Sequence, residues 1–268
     1  MNRWTRLLVS FLFASALLAS CGSCGGRQGI EEEGVGYTAV PASPDDWVAF
    51  LTMEIMLTKG YEIMSSAGGV VISQHIVASE ETLRTTAGIS IVTAAHFCTD
   101  FISPLATPIF AYNSRGQEFE ALPLVVDVDA DLCLIVAIGD WGGEALTQLV
   151  DPNTIPDYAR IENYGNPYGR FQGEDGEREG EPRERFVTFR NEGFFAGIWS
   201  DYFFAHNITS ESGQSGSAIL YEGSLLGIVM ARDRRSPHIG YAVRGDVVYR
   251  FLSDNGYDEV YLLTAPFD

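Results

Sequence analysis

A serine between two glycines is the residue of this sequence best suited to act as a nucleophile. Ser215 stands in the pentapeptide GQSGS at residues 213–217, and a β-rich run at residues 218–221 follows at once. Glycine permits a tight turn and lets backbone N–H groups approach a bound ligand closely. A nucleophilic serine needs an exposed hydroxyl and N–H donors that face the oxyanion formed when it attacks a carbonyl. Because such pentapeptides also occur in ordinary hairpin turns, the motif indicates catalysis only together with a base and a carboxylate.

A candidate base and candidate carboxylates occur earlier in the chain. The apolar run at residues 91–95 ends at His96, and three aspartates at alternate positions precede the apolar run at residues 132–136. These aspartates are Asp127, Asp129 and Asp131. In an extended strand all three would point to one face, and at most one can orient an imidazole. We assign that role to Asp131, which directly precedes the apolar run, with Asp129 as the alternative.

These segments, in this order, resemble the trypsin-like serine proteases, which have the chymotrypsin fold. Residues 93–96 (TAAH) resemble the segment that carries their histidine, and residues 131–134 (DLCL) resemble the strand that follows their aspartate. Residues 213–217 resemble their G-x-S-G-[G/S] motif, and residues 225–229 (LLGIV) resemble the next strand. The resemblance covers roughly residues 65–252, most of the chain.

The resemblance implies an all-β fold with two six-stranded Greek-key β-barrels and a few short helices. The two barrels are expected at roughly residues 65–150 and 157–255. The expected activity is that of a serine endopeptidase, with polypeptides as substrates and no metal or cofactor. The alternative is a catalytically inactive relative that serves as a binding module on the same scaffold, because a fold does not fix a function.

The resemblance also assigns a role to each catalytic group. His96 accepts the proton of Ser215 and then delivers it to the leaving amine, while Asp131 holds the imidazole tautomer. The N–H groups of Gly213 and Ser215 are expected to bind the oxyanion. Gln214 stands where the trypsin group has an Asp that meets a newly cleaved N-terminus. Since no segment resembles that cleavage site, we expect an enzyme that needs no such activation.

A pocket for the substrate side chain that precedes the cut bond follows from the same resemblance. Thr209, six residues before Ser215, is expected at its base, and Met230 and Arg232 along one wall. Without an acidic residue at the base, a preference for Lys or Arg is not expected. Met230 would narrow the pocket, and Arg232 would attract acidic substrates if it faced inward. The alternatives are a packing methionine and a solvated charge.

The first 20 residues are typical of a secretory signal. Arg3 and Arg6 supply the positive start, and residues 7–18 form a short apolar core. That core is shorter than a membrane-spanning helix requires.

The tetrapeptide LASC at residues 18–21 resembles a bacterial lipobox. It implies that Cys21 becomes an acylated N-terminus after removal of the signal peptide, residues 1–20. The alternative is plain secretion, with Cys21 an ordinary thiol. Residues 21–45 are rich in Gly and Glu and predict a flexible tether ahead of a protease domain at residues 46–268. We therefore expect an exported protein of the cell envelope, anchored by its lipid to the outer membrane or the cell surface.

The charge of the chain excludes some partners. It contains 36 acidic residues against 17 Lys and Arg, a formal net charge of −19. Such a charge argues against binding to nucleic acid and to anionic lipid surfaces. Membrane attachment is therefore expected through lipid at Cys21 and not through charge.

Two cysteines lie near the predicted catalytic pair. Cys98 follows His96 by two residues and Cys133 follows Asp131 by two. A His–Asp contact would bring the two thiols together, and an exported protein could then oxidise them to a disulfide. Two buried, unpaired thiols fit the sequence equally well. Their spacing has no metal-site signature.

Strands are predicted to position most of these groups. Residues 70–73 are the expected first strand, and residues 89–93 lead to His96. The segment 47–61 is predicted differently, because its apolar residues recur at helical spacing: Trp47, Leu51, Ile55 and Met56. We predict a helix there, packed on the barrels.

Overall fold

The structure is a computed structural model that describes residues 44–57, 60–79, 84–99, 109–165, 188–211, 213–232, 236 and 238–264. The predicted signal peptide, Cys21 and all but the end of the predicted tether lie outside the described residues. In the described ranges, no helix has the length and apolar character needed to cross a membrane.

Six antiparallel strands close the first barrel. They are β1 (Val48–Leu57), β2 (Gly60–Ser79), β3 (Arg84–Ala94), β4 (Ile109–Tyr112), β5 (Glu118–Asp127) and β6 (Leu132–Ile138). Around the barrel they run in the order β1-β2-β3-β6-β5-β4, and β4 returns to pair with β1. Alternate residues of each strand point inward, and branched aliphatic side chains such as Val70, Ile91 and Leu134 fill the core.

The prediction of a helix over residues 47–61 is wrong. Only a single turn, α1 (Pro44–Trp47), is helical, and β1 then pairs along its length with β2. Leu51 and Met53 face the barrel core, whereas Phe50 on the opposite face packs against Tyr112. Residues 48–53 are buried on both faces of the strand and are apolar except for Thr52, and such a run also fits a helical period. The first barrel thus begins at Val48 and not near residue 65.

The second barrel repeats the strand order of the first. Its strands are β8 (Arg160–Gly165), β9 (Phe189–Ile198), β10 (Phe203–His206), β11 (Ala218–Tyr221), β12 (Ser224–Arg232) and β13 (Gly240–Arg244). They pair in the order β8-β9-β10-β13-β12-β11, and the pairing of β11 with β8 closes the barrel. The predicted all-β fold with two six-stranded Greek-key barrels is therefore confirmed.

Smaller elements extend the second barrel. A short strand, β7 (Gln148–Val150), pairs in parallel with β12, and β14 (Tyr261–Leu263) pairs in parallel with β7. The helix α3 (Gly245–Asp254) follows β13 and packs on these strands through an apolar face that includes Val248 and Leu252. In the first barrel, the one-turn helix α2 (Ala95–Thr99) follows β3.

The two barrels meet at closely approaching backbones. The N–H of Gly68 on β2 donates to the carbonyl of Ser215 at 2.7 Å, and Thr93 Oγ1 on β3 donates to the carbonyl of Gly68 at 2.7 Å. A Cβ on Gly216 would lie 2.2 Å from both that carbonyl and Thr93 Oγ1. Since Cβ atoms do not approach other atoms so closely, this contact requires glycine at position 216.

Candidate active site

The ladder between β3 and β6 brings His96 beside Asp131. Ala94, the last residue of β3, pairs with Leu132, the first residue of β6. Just beyond the ladder, the N–H of Ala95 donates to the carbonyl of Asp131 at 3.0 Å. The histidine at the start of α2 and the aspartate before β6 are thus fixed by the same strand register.

Asp131 holds the imidazole of His96 through several contacts. Its Oδ1 accepts from the His96 backbone N–H at 2.9 Å, and its two oxygens lie 3.1 and 3.0 Å from His96 Nδ1. The Asp131 side chain is 14% exposed, and that of His96 is 50% exposed. Since a carboxylate can only accept, we assign the proton of the neutral ring to Nδ1. In this tautomer Nε2 carries the lone pair of the ring and is the nitrogen that can accept a proton.

The alternating pattern predicted that the three aspartates point to one face of a strand, and this is wrong. β5 ends at Asp127, residues 128–131 form a turn, and Asp131 has a positive φ of 53°. Asp127 Oδ1 accepts from the N–H groups of Asp129 and Ala130, both at 3.0 Å, and so shapes this turn. Asp129 is exposed. Of the three, Asp131 is the one that contacts His96.

Ser215 lies in the loop between β10 and β11, on the second barrel. Its hydroxyl donates to the carbonyl of Met230 on β12 at 3.1 Å. The side chains of His96, Asp131 and Ser215 line one cleft of about 730 Å³ between the barrels. The structure therefore brings the three predicted catalytic residues into a single cavity.

The backbone around Ser215 has the conformation that its glycines permit. Gly213 and Gly216 have φ values of 87° and 84°, which residues with a Cβ rarely adopt. The N–H of Gly216 donates to Val229 and that of Ser217 donates to Gln214. Among the described residues, the N–H groups of Gly213 and Ser215 have no hydrogen-bond acceptor. They are the two donors expected from the sequence to bind the oxyanion.

Two of the three predicted pocket residues line the cleft. Met230 and Arg232 do so, but Thr209 is exposed and lies outside the lining. The neighbouring Ser210, which is 6% exposed, faces the cleft instead. Counting six residues back from the serine assumed a loop conformation that this chain does not have. The sequence offered no signal for Ser210 apart from its proximity to Ser215.

Arg232 is not an isolated positive charge in the cleft. Its Nη1 lies 3.7 Å from Glu211 Oε2, and both side chains are partly exposed. Glu211, which no sequence motif marked, also lines the cleft. Its carboxylate offsets the attraction that Arg232 alone would exert on an acidic substrate.

A disulfide joins Cys98 to Cys133. It links α2 to β6, and both cysteines are buried. The sequence left open whether these thiols were paired, and the structure decides for the disulfide. The bond ties together the segments that directly follow His96 and Asp131. Among the described residues, no group of three or more His, Cys, Asp and Glu side chains is arranged to hold a metal ion.

Two six-stranded antiparallel barrels of the same strand order are the architecture of the trypsin-like serine protease fold. His96 and Asp131 lie on one barrel and Ser215 on the other. Neither a protein-family profile nor a curated protein matches this sequence. Among solved structures, the chain is similar to a serine endoprotease from Yersinia pestis, with a TM-score of 0.55 and 19% sequence identity. The match covers 81% of this chain and 65% of that chain. At this identity the similarity shows the fold, and the chain spans less than two thirds of the length of the other chain.

Proposed function

We propose that this protein is a serine endopeptidase that hydrolyses peptide bonds through Ser215, His96 and Asp131. The observation that carries the proposal is the pair of contacts between Asp131 and His96 Nδ1, in the same cleft as the Ser215 hydroxyl. An imidazole oriented by a carboxylate, beside a serine on a glycine-rich turn, is the arrangement that acyl transfer requires. The similarity to a serine endoprotease fold supports a polypeptide substrate.

In the proposed mechanism, the Ser215 hydroxyl turns from the Met230 carbonyl toward His96 and attacks the substrate carbonyl. Nε2 of His96 takes the hydroxyl proton, and Asp131 stabilises the imidazolium that forms. The negative oxygen of the tetrahedral intermediate accepts hydrogen bonds from the unpaired N–H groups of Gly213 and Ser215. His96 then protonates the leaving amine. Water attacks the acyl-serine in the same way and restores the hydroxyl.

Labelling with a fluorophosphonate probe tests the proposal. The probe phosphonylates an activated serine, so the wild-type protein should be labelled and Ser215→Ala should not. Ser224→Ala is a matched control, because Ser224 is a buried serine on β12 outside the cleft lining. That variant should retain its labelling. A folded wild-type protein that remains unlabelled, or a label that survives in Ser215→Ala, would support the non-catalytic binding module instead.

We further propose that the protein is exported and anchored to the cell envelope through lipid at Cys21. The Cys98–Cys133 disulfide supports export, because such bonds persist in oxidising compartments. Metabolic labelling with an alkyne fatty acid should label the wild-type protein, and cell fractionation should recover that protein with the membranes. Cys21→Ala should abolish both the label and the membrane association, whereas the control Cys24→Ala should retain both. Equal labelling of the two variants would contradict the assignment of Cys21.

A further inference from the structure

A network of uncharged side chains holds the loop that carries Ser215. The side chain of Gln214 is directed away from solvent and is 1% exposed. Its Oε1 accepts from the N–H of Glu211 at 2.6 Å, and its Nε2 donates to Asn163 Oδ1 at 3.3 Å. Asn163 on β8, also 1% exposed, donates through Nδ2 to the carbonyl of Ala218 at 2.9 Å. The amide pair therefore contacts the backbone both before and after Ser215.

The network adds side-chain hydrogen bonds to the backbone bonds that already hold the loop, such as those from Gln214 to Glu211 and from Ser217 to Gln214. Between Glu211 and Ala218, the loop has to leave the N–H groups of Gly213 and Ser215 without partners. Unpaired donors are costly, and a free loop would turn them toward carbonyls or water. The two buried amides oppose that rearrangement, because they link the N–H of Glu211 to β8 and to Ala218, which the strand ladder already holds on β8. No member of the network carries a charge, so it forms without a terminal amine and at any pH at which the barrel is folded.

We propose that Gln214 and Asn163 are positioning residues, which hold the Ser215 loop in its ligand-competent form without any cleavage of the chain. The inference rests on the proposed serine endopeptidase activity, because it assigns the unpaired N–H groups to the oxyanion. Gln214 and Asn163 line neither wall of the cleft and act through the loop backbone.

The variant Gln214→Met tests this role, because methionine keeps the length of the side chain and removes both of its hydrogen bonds. We expect kcat and the rate of fluorophosphonate labelling to fall about 100-fold, the cost of losing an oxyanion donor. KM should change far less, since β12, which forms a cleft wall, is held by its own strand pairs. Gln148→Met is the matched control: Gln148 on β7 accepts from Ser224 and lies outside the cleft lining. It should leave both rates unchanged.

A second variant, Gln214→Glu, gives a readout that general destabilisation does not mimic. A protonated Glu can accept from Glu211 and donate to Asn163, as glutamine does, whereas an ionised one cannot donate. The labelling rate of the variant relative to the wild type should therefore rise as the pH is lowered from 8 to 5. A flat ratio would overturn the assigned hydrogen bonds.

Hydrogen exchange separates this inference from the proposed activity. In Gln214→Met, exchange across residues 211–218 should accelerate, and this can be measured whether or not the protein is an enzyme. If the wild type is never labelled while exchange accelerates, the proposed function fails and the role of the network in holding the loop stands. If Gln214→Met exchanges and labels as the wild type does, the positioning role is refuted.

Discussion

Acid destabilisation of the second barrel should depend on His206. This residue ends β10 and is fully buried, with its ring 6.2 Å from that of Phe204. A Cβ on Gly240 of the neighbouring β13 would lie 2.2 Å from the imidazole Cε1, so the ring fills the space that this glycine leaves. Burial lowers the pKa of His206 from 6.5 to about 4, and an interaction with the backbone of Ile208 opposes only part of that change.

The size and direction of the effect follow from this pKa. Between pH 6.5 and pH 4, the unfolded chain binds a proton at this imidazole and the folded chain does not. The contribution of the neutral His206 to the free energy of unfolding is therefore fully present above pH 6.5 and is lost as the pH falls toward 4. A shift of roughly 2.5 pKa units corresponds to about 3 kcal/mol in total, of which about 2 kcal/mol is lost by pH 5.

Urea unfolding at pH 7.5 and at pH 5 measures this loss. In His206→Leu, which has no titratable group at this position, the decrease in unfolding free energy between the two pH values should be about 2 kcal/mol smaller than in the wild type. The control His238→Gln alters a histidine in an exposed turn and should leave the wild-type decrease unchanged. If His206→Leu and the wild type lose the same free energy, the imidazole is not held neutral by burial and the reasoning is refuted.

Three further predictions concern the contact between the barrels, the disulfide and Asp131. Gly216→Ala places a Cβ 2.2 Å from two atoms of the first barrel and should lower the free energy of unfolding by more than about 3 kcal/mol. The control Gly256→Ala, at a similar φ with open space around it, should lower it by about 1 kcal/mol. Equal melting temperatures of the two variants would contradict the close contact. Replacing both disulfide cysteines by serine opens a crosslink with a sequence separation of 35 and should cost about 3–4 kcal/mol, which a shift of the urea midpoint would show. Asp131→Asn should lower kcat by about 10⁴ at neutral pH, whereas Asp129→Asn should change it little, as measured on a peptide substrate; similar rates for the two variants would exclude Asp131 as the orienting group.

Short motifs made the strand-end residues predictable from the sequence. His96 and Asp131 each adjoin a buried strand, and Ser215 lies between glycines, so chemistry and local pattern coincide at these positions. The fold could be predicted because these motifs, in the order His, Asp, Ser, resemble those of the trypsin-like serine proteases. The segment Val48–Leu57 carried no such motif. Its apolar residues satisfied a helical period as well as a buried strand, and its pairing with β2 and β4 decided the outcome.

Features set by the path of a loop could not be predicted. The alternation of aspartates suggested a strand, but the left-handed φ of Asp131 turns the chain and directs this carboxylate alone to His96. Likewise, whether Thr209 or Ser210 faces the cleft depends on backbone angles for which the sequence has no marker. The disulfide required a distance between Cys98 and Cys133 that only the register of β3 and β6 supplies.

Contacts without large side chains help to set the geometry of the proposed site. His96 and Asp131 belong to one barrel and Ser215 to the other, so the distance between them depends on the contacts between barrels, which include a shared apolar cluster and the ring contact of Trp47 with Tyr164. Beside Ser215 itself, the barrels touch where Gly68 donates to the carbonyl of Ser215 and Gly216 packs against the Gly68 carbonyl and Thr93. Because backbones in contact leave no adjustable side chain between them, a single added methyl group at Gly216 has to move one barrel or distort the loop. Such a change should therefore separate the base from the nucleophile even if each barrel remains folded.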